Sequence, residues 1–273
     1  MSRIEARFEA LKAQGRRALI PYVTAGDPNP GLTVRLMHGL VEAGADIVEL
    51  GVPFSDPIGD GPVIQLACER SLAHGTSIRD VLNMVREFRE TDSETPVVLM
   101  GYMNPIEVMG YPRFAEAAAE AGVDGVLTVD MPPEEMGDLS KCLAGAGLDP
   151  IFLIAPTTTE ARMQVICDHA RGFIYYVSLK GVTGSDSLDI GAVAARVDRL
   201  NQMTGLPVGV GFGISTAEKA AQMSQAADAI VVGSALVRQI QENADDDAAV
   251  LSKVTGLLAS MRSAMDAEVT AAV

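Results

Sequence analysis

The chain has 273 residues and a net charge of −15, and 48% of its residues are hydrophobic while 21% are charged. This length and apolar content suffice for one large α/β barrel or two small domains, and they exclude a disordered chain. Because the chain is strongly acidic, we expect neither nucleic acid nor an anionic membrane as a partner. A small anionic ligand is not excluded, since helix N-termini bind anions without Lys or Arg.

The cysteines and the N-terminal segment indicate the compartment. Cys68, Cys142 and Cys167 lie in helical patterns without metal-binding or redox spacing, so we expect buried, reduced thiols. The three histidines are scattered over helical stretches, which makes a histidine metal site an unfavourable interpretation. Residues 1–17 are mixed in charge and lack the apolar core of a signal peptide, and no apolar run has membrane-spanning length. These features predict a cytoplasmic protein.

A repeating unit of strand, loop and helix runs through the chain. An amphipathic helix at residues 3–12 comes first and is placed to plug one end of a barrel. The predicted strands are residues 18–23, 47–50, 96–102, 125–129, 151–155, 173–178, 208–210 and 229–232. Helices are predicted in the segments between them, and two more after the last strand, from residue 235 and over 248–265.

Eight short strands rich in Val and Ile, alternating with helices, are typical of a parallel sheet buried on both faces. That number of units, without a linker-like change in composition, favours a closed (β/α)8 TIM barrel with extra N-terminal and C-terminal helices, in which residues 1–273 form a single domain. A doubly wound open sheet is the alternative.

The second strand and its loop, DIVELGVPFSDPIGDGP, contain the candidate chemistry. Side chains alternate along a strand, so Ile47 and Glu49 share one face, and an inward Glu49 would lie at the barrel mouth. None of the predicted strands contains a Lys or Arg to neutralise it. Such a carboxyl has a raised pKa and exchanges protons near neutral pH. The alternative is a Glu held by backbone amides or ordered waters.

Two aspartates follow in the same loop. Asp60, in the sequence GDGP, either caps the next helix or faces Glu49 across a small pocket and polarises a substrate N–H or O–H. The residues alone leave these two interpretations open. Asp56 precedes Pro57 and is interpreted as a turn residue or a partner contact.

Three late loops are rich in glycine and follow predicted strands six, seven and eight. They are GVTGSDS from residue 181, GFGIS from residue 211, and Gly233-Ser234. Backbone N–H groups and helix dipoles bind phosphate at such positions in barrels, although turns need glycine for their own geometry. The first loop is the longest and would close over a ligand as a lid. Ser215 and Ser234 either cap helices or donate to phosphate oxygens.

Tyr22 and Tyr175 lie near the ends of strands, and Phe212 lies beside a glycine loop. They either pack as ordinary aromatic residues or line a pocket for a flat apolar group, with the Tyr175 hydroxyl near the acids.

At these residues the chain resembles the tryptophan synthase alpha chain family over nearly its whole length. The matching segments are PYVTAGDP, ADIVELGVPFSDPIGDGPVIQ, NP at residues 104–105, GVTG, GFGIS and VVGSA. The resemblance implies a (β/α)8 lyase that cleaves indole-3-glycerol phosphate to indole and glyceraldehyde 3-phosphate without cofactor or metal. It also implies a pyridoxal-phosphate beta chain as the partner in an alpha2beta2 heterotetramer. The beta chain would receive indole through a tunnel. Residues 52–62 and 181–187 would communicate with that partner.

The resemblance also assigns residue roles. Glu49 would be the principal acid and base, Asp60 would accept from the indole N–H, and Tyr175 would support Glu49. The remaining substrate-binding residues implied are Tyr22, Met100, Leu127 and Phe212 for indole, and Thr183, Gly184, Gly213, Gly233 and Ser234 around the phosphate ester.

Three other hypotheses remain at this point. The chain could be another phosphate-binding barrel of amino-acid biosynthesis, such as a sugar-phosphate isomerase. It could be an idle barrel that acts only as an allosteric partner, although the intact Glu49 and Asp60 argue against this. It could also be a free-standing version that releases indole.

Overall fold

The strands form a closed parallel barrel. The computed structural model describes residues 1–178, 190–211 and 213–271. Neighbouring strands pair in chain order, and β1 pairs with both β2 and β8. The strands are β1 Ala18–Thr24, β2 Val48–Gly51, β3 Val97–Gly101, β4 Gly125–Thr128, β5 Asp149–Ile154, β6 Ile174–Val177, β7 Val208–Gly211 and β8 Ala229–Val232. The predicted (β/α)8 fold is confirmed, and the open doubly wound sheet is wrong because its edge strands would not pair.

Helices surround the barrel and extend it at both chain ends. They are α1 Arg3–Ala13, α2 Pro30–Glu42, α3 Pro62–Ala73, α4 Ile78–Arg89, α5 Met103–Met109, α6 Tyr111–Ala121, α7 Gly137–Gly145, α8 Glu160–His169, α9 Ile190–Met203, α10 Ala217–Ser224, α11 Ser234–Glu242 and α12 Asp247–Ala271. The additional helices predicted at the two chain ends are α1 and α12. Within the described ranges, no helix combines the length and apolar character needed to cross a membrane.

The strands bury both faces in two separate apolar layers. Ile47 and Val98 belong to a cluster inside the barrel, whereas Val48 and Leu99 pack in the layer between strands and helices. This is the period of two expected for strands. The predicted alternation along β2 is therefore confirmed, and it determines which side chains can reach the barrel mouth.

The N-terminal end of the barrel is closed by α1. Ile4, Phe8 and Leu11 of this helix are buried and join the interior cluster. The Phe8 ring lies 5.9 Å from the ring of Phe173 at the start of β6, measured between centroids. The predicted plug is confirmed, and it leaves the opposite end, where the strands finish, as the candidate mouth of the barrel interior.

Two buried carboxylates at this closed end are paired with arginines. The Asp124 carboxylate, just before β4, accepts from Arg3 and Arg89 at 2.8 Å each. The Asp46 carboxylate, just before β2, accepts from the Leu19 backbone N–H at 2.9 Å and from Arg262 of α12 at 3.2 Å. These bonds attach both chain ends to the barrel.

Some local predictions were wrong. One helix was predicted between β3 and β4, but these strands are separated by two, and the first, α5, contains Pro105 in its first turn, where proline is tolerated. The cap of α10 is Thr216, whose hydroxyl accepts from the Lys219 N–H, and not Ser215. Ser77 caps α4 and Thr159 caps α8, each with a side-chain oxygen that accepts from a backbone N–H of the first turn.

Candidate active site

Glu49 points into the barrel near the end of β2. It pairs in register with Tyr22 on β1 and Val98 on β3, and it lies two residues after the interior residue Ile47. Only 1% of its surface is exposed. The predicted inward orientation is confirmed, and the position near the strand end places the carboxyl at the mouth.

The Glu49 carboxyl has no compensating group in the described part of the chain. Neither of its oxygens has a hydrogen-bond partner there, so the alternative of a carboxylate held by backbone amides finds no support among those residues. Burial, together with the negative charge of Asp60, raises the pKa of Glu49 from 4.5 to about 8. At neutral pH the side chain is therefore a neutral acid that can donate a proton and later take one back.

Asp60 faces this site from the loop between β2 and α3. Its Oδ2 atom accepts a hydrogen bond of 2.8 Å from the Tyr102 hydroxyl. The N-cap of α3 is Gly61, without a side-chain cap bond, so the interpretation of Asp60 as a cap is wrong. Burial raises the pKa of Asp60 and the bond from Tyr102 opposes that rise. Asp60 thus accepts a hydrogen bond from a hydroxyl, whereas Glu49 has no such donor among the described residues. The two carboxyls are therefore suited to different roles, Asp60 as an acceptor and Glu49 as a proton donor.

Asp56 is exposed and lies in a turn. Its carboxylate accepts from the Ser55 hydroxyl at 2.5 Å, and its backbone carbonyl accepts from the Ile58 N–H at 2.8 Å. The predicted turn role of Asp56 is confirmed, and the residue is separate from the buried chemistry.

Two tyrosines reach into the interior because neighbouring strands carry glycine. A Cβ atom at Gly51 would collide with the Tyr22 hydroxyl, and one at Gly211 would collide with the Tyr175 hydroxyl. Burial raises the pKa of both tyrosines well above 10.0, and the nearby acids add to the effect. Both hydroxyls therefore stay protonated and can donate hydrogen bonds at the mouth.

The rest of the mouth is apolar. Leu127 on β4 belongs to the interior cluster and Met100 on β3 packs against it, and the resemblance implies both for the indole pocket. Val129 and Leu153 pack against it as well and were not predicted, although they lie two residues after Leu127 and Ile151 on the same faces. A flat apolar group would meet suitable walls here.

The glycine loops are described only in part. Gly213 has φ +74°, a conformation that favours glycine, and Gly233 immediately precedes α11, which begins at Ser234. Their backbone lies at the carboxyl ends of β7 and β8, where anions bind in barrels. The predicted site residues Thr183, Gly184 and Phe212, and the predicted lid, lie outside the described residues.

Tyr102 is a site residue that the sequence reasoning missed. It directly follows β3, so its place at a strand end was the available signal. Its hydroxyl bonds Asp60, which links β3 to the acid-bearing loop.

The barrel is closed and has eight strands, and the two acids at its mouth lie in different surroundings, one with a hydroxyl donor and one without in the part of the chain that the structure describes. This arrangement defines a (β/α)8-barrel enzyme of acid–base chemistry. The family model described as tryptophan synthase alpha chain matches residues 8–266. A tryptophan synthase alpha chain from Thioalkalivibrio sulfidiphilus is 64% identical over 97% of this chain and 100% of its own length. The solved tryptophan synthase subunit alpha from Legionella pneumophila superposes with a TM-score of 0.91 at 50% identity, covering 98% of this chain and 99% of that one.

The chain belongs to the tryptophan synthase alpha chain family. It is a carbon–carbon lyase of tryptophan biosynthesis that cleaves indole-3-glycerol phosphate to indole and glyceraldehyde 3-phosphate. The family implies a beta chain as its partner.

Proposed function

We propose that Glu49, Asp60 and Tyr175 carry the retro-aldol cleavage of indole-3-glycerol phosphate in this chain. The observation that supports this most strongly is the Glu49 carboxyl, which is 1% exposed and has a pKa of about 8 beside a second acid. An acid with a pKa near the working pH transfers protons most effectively in both directions.

The reaction needs protonation of a carbon of the indole ring and deprotonation of a hydroxyl of the glycerol side chain. Neutral Glu49 donates its proton to the ring carbon that carries the glycerol side chain. Asp60 accepts from the indole N–H and stabilises the positive charge that this protonation creates. The Glu49 carboxylate then takes the proton of the adjacent glycerol hydroxyl, the carbon–carbon bond breaks, and its electron pair returns to the ring. Indole and the aldehyde leave, and Glu49 is protonated again. Tyr175 donates toward Glu49 while it is charged.

The substrate is held at both ends in this proposal. Tyr22, Met100, Leu127 and Phe212 form the indole pocket, which the buried Tyr22 and Leu127 and the interior position of Met100 support. Thr183, Gly184, Gly213, Gly233 and Ser234 surround the phosphate, which the positive φ of Gly213 and the position of Gly233 before α11 support. No metal or cofactor takes part.

We also propose that the single barrel domain of residues 1–273 passes indole to a beta chain in a cytoplasmic alpha2beta2 heterotetramer. Exposed apolar side chains near the mouth support this. Ile58, in the Asp60 loop, is 85% exposed, and Val108 on α5 is 83% exposed. Exposed apolar residues beside a site indicate a protein interface.

The activity is tested by incubating the purified chain with indole-3-glycerol phosphate, with and without a beta chain, and measuring indole. We expect Glu49→Gln to lower turnover about 10³-fold and Asp60→Asn about 10²-fold. Asp56→Asn changes an exposed acid of the same loop and should leave turnover without a beta chain within about twofold. Indole release that survives Glu49→Gln would overturn the acid–base role. Turnover of a sugar phosphate that indole analogues do not inhibit would favour an isomerase instead.

The partner proposal is tested by gel filtration with a beta chain. We expect Ile58→Asp to weaken the complex, because it places a charge in the apolar surface, while Lys12→Asp at the closed end should not. Equal binding by both variants would contradict the proposed surface. Full activity alone, without any complex, would identify a free-standing indole-releasing enzyme.

A further inference from the structure

One hydroxyl group joins the Asp60 loop to the end of β3. The Tyr102 hydroxyl donates to Oδ2 of Asp60 at 2.8 Å and accepts from the backbone N–H of Gly59 at 3.0 Å. Both capacities of the hydroxyl are therefore used on two adjacent residues of one loop. The other carboxylate oxygen of Asp60, Oδ1, takes no part in this bond.

The Tyr102 ring is held firmly enough to act as a support. It is 4% exposed and stacks on the Phe54 ring, with the centroids 5.3 Å apart and the planes at 26°. The loop packs closely against it, since a Cβ atom at Gly59 would come within 3.2 Å of the Tyr102 hydroxyl and 2.7 Å of a Val129 methyl. A rigid ring, and a glycine that admits the loop, together determine where the Asp60 carboxylate lies.

We propose that Tyr102 is the positioning residue of Asp60: its hydroxyl binds one carboxylate oxygen and the loop backbone, and so directs the other oxygen toward the N–H of the bound ring. This inference rests on the proposed role of Asp60 as the acceptor of that N–H. Tyr102 acts through Asp60 and has no proton-transfer step of its own.

The hydroxyl also favours the charged form of Asp60. It donates to the carboxylate and lowers the pKa of Asp60, against the rise that burial causes. Among the described residues, Glu49 on β2, Tyr22 on β1, Tyr175 on β6 and Cys68 on α3 also interact electrostatically with Asp60. None of these four is a cation, so within the described part of the chain the donor that stabilises the Asp60 carboxylate is Tyr102.

The test is the Tyr102→Phe variant, which keeps the ring and removes the hydroxyl. Loss of the donor raises the pKa of Asp60, so the acidic limb of the pH profile of kcat/KM should move to higher pH by about one unit. We expect kcat to fall about tenfold and KM to change less than about threefold. Tyr176→Phe removes a hydroxyl in the layer between strands and helices and should move neither limb. An unmoved acidic limb in Tyr102→Phe would overturn the proposal.

A second variant separates the hydroxyl from the ring. Phe54→Leu removes the stacking partner but retains the Tyr102 hydroxyl, so we expect a lower kcat without a shift of the acidic limb. If this variant shifts the limb as far as Tyr102→Phe does, the ring packing and not the hydroxyl controls Asp60, and the proposal is wrong.

A measurement on the unmutated enzyme does not depend on how the Tyr102 and Phe54 variants fold. With the five tyrosines labelled with ¹³C at Cζ, one resonance should titrate with the midpoint of the acidic limb, and Asp60→Asn should abolish that step. Absence of such a step would overturn the proposal. If Asp60→Asn retains full activity, it is the proposed function that fails. If Asp60→Asn is inactive while Tyr102→Phe keeps the normal profile, only the positioning role fails.

Discussion

Among the described residues, buried acids at the closed end of the barrel have hydrogen-bond donors that the buried Glu49 at the mouth lacks. At the closed end, Asp124 accepts from two arginines and from the Val97 N–H, and Asp46 accepts from Arg262 and the Leu19 N–H. At the mouth, neither oxygen of Glu49 has a partner in the described part of the chain. Asp46 is 5% exposed and Glu49 1%, so the difference lies in compensation and not in burial.

The contrast separates acids that are paired within the fold from the acid for which we propose a chemical role. A buried carboxylate that receives several donors is attached to the structure, and losing a partner leaves an uncompensated charge. A buried carboxyl without donors is held in its neutral form and can release a proton to a ligand. Because a fold gains nothing from an unpaired acid, its presence indicates a function.

The largest expected difference concerns the pH dependence of stability. Glu49 has its pKa raised in the folded state to about 8, so the unfolded chain releases this proton first and stability falls as the pH rises from about 4.5 to 8. Between pH 5 and 9 we expect the wild type to lose on the order of 4 kcal/mol more than Glu49→Gln, measured by urea unfolding. Parallel losses in the two proteins would show that Glu49 is ionised in the folded state at neutral pH.

A smaller effect of the opposite kind is expected at the closed end. Asp46→Ala removes a partner of the buried Arg262 and an acceptor of the Leu19 N–H, so we expect it to lower the free energy of unfolding by about 3 kcal/mol. Turnover of the folded fraction should stay within about threefold. Asp56→Ala, at an exposed loop position, should cost less than about 0.5 kcal/mol. A stable Asp46→Ala protein that has lost turnover would contradict the division between the two ends.

The smallest effect is expected for the first helix cap. The Ser2 hydroxyl accepts from the Glu5 N–H at 3.2 Å and donates to Asp149 at 2.7 Å, which fixes the start of the plug helix. We expect Ser2→Ala to cost about 1 kcal/mol in thermal unfolding, without a change in KM. Ser55→Ala at the mouth is the matched control. If it costs as much as Ser2→Ala, the cap does not carry the expected stabilisation.

The sequence predicts those features that depend on local periodicity. The alternation of Ile47 and Glu49 follows from a period of two, and eight strand-and-helix units predict the closed barrel. The inward orientation of Glu49 and the absence of basic residues in the strands made Glu49 the candidate acid from the sequence alone. The plug helix follows from the spacing of Ile4, Phe8 and Leu11.

Features that depend on contacts distant in the chain could not be predicted from the residues alone. Asp60 is bonded by Tyr102, 42 residues away, and an aspartate before a helix is equally typical of a cap. Arg262 reaches Asp46 across 216 residues, so its role as a partner has no local signal. The helix α5 has only seven residues, too few to show a helical period beside its proline.

The most direct measurement is the titration of Glu49 itself. With glutamate labelled with ¹³C at the side-chain carboxyl, its resonance is the one that Glu49→Gln removes, and its shift reports the charge of the group across the pH range. A midpoint near pH 8 is expected, because the buried carboxyl lacks donors in the described part of the chain and faces Asp60. A midpoint below about pH 5, close to that of a free glutamate, would mean that the mouth compensates this acid as the closed end does, and would contradict its role as the proton donor.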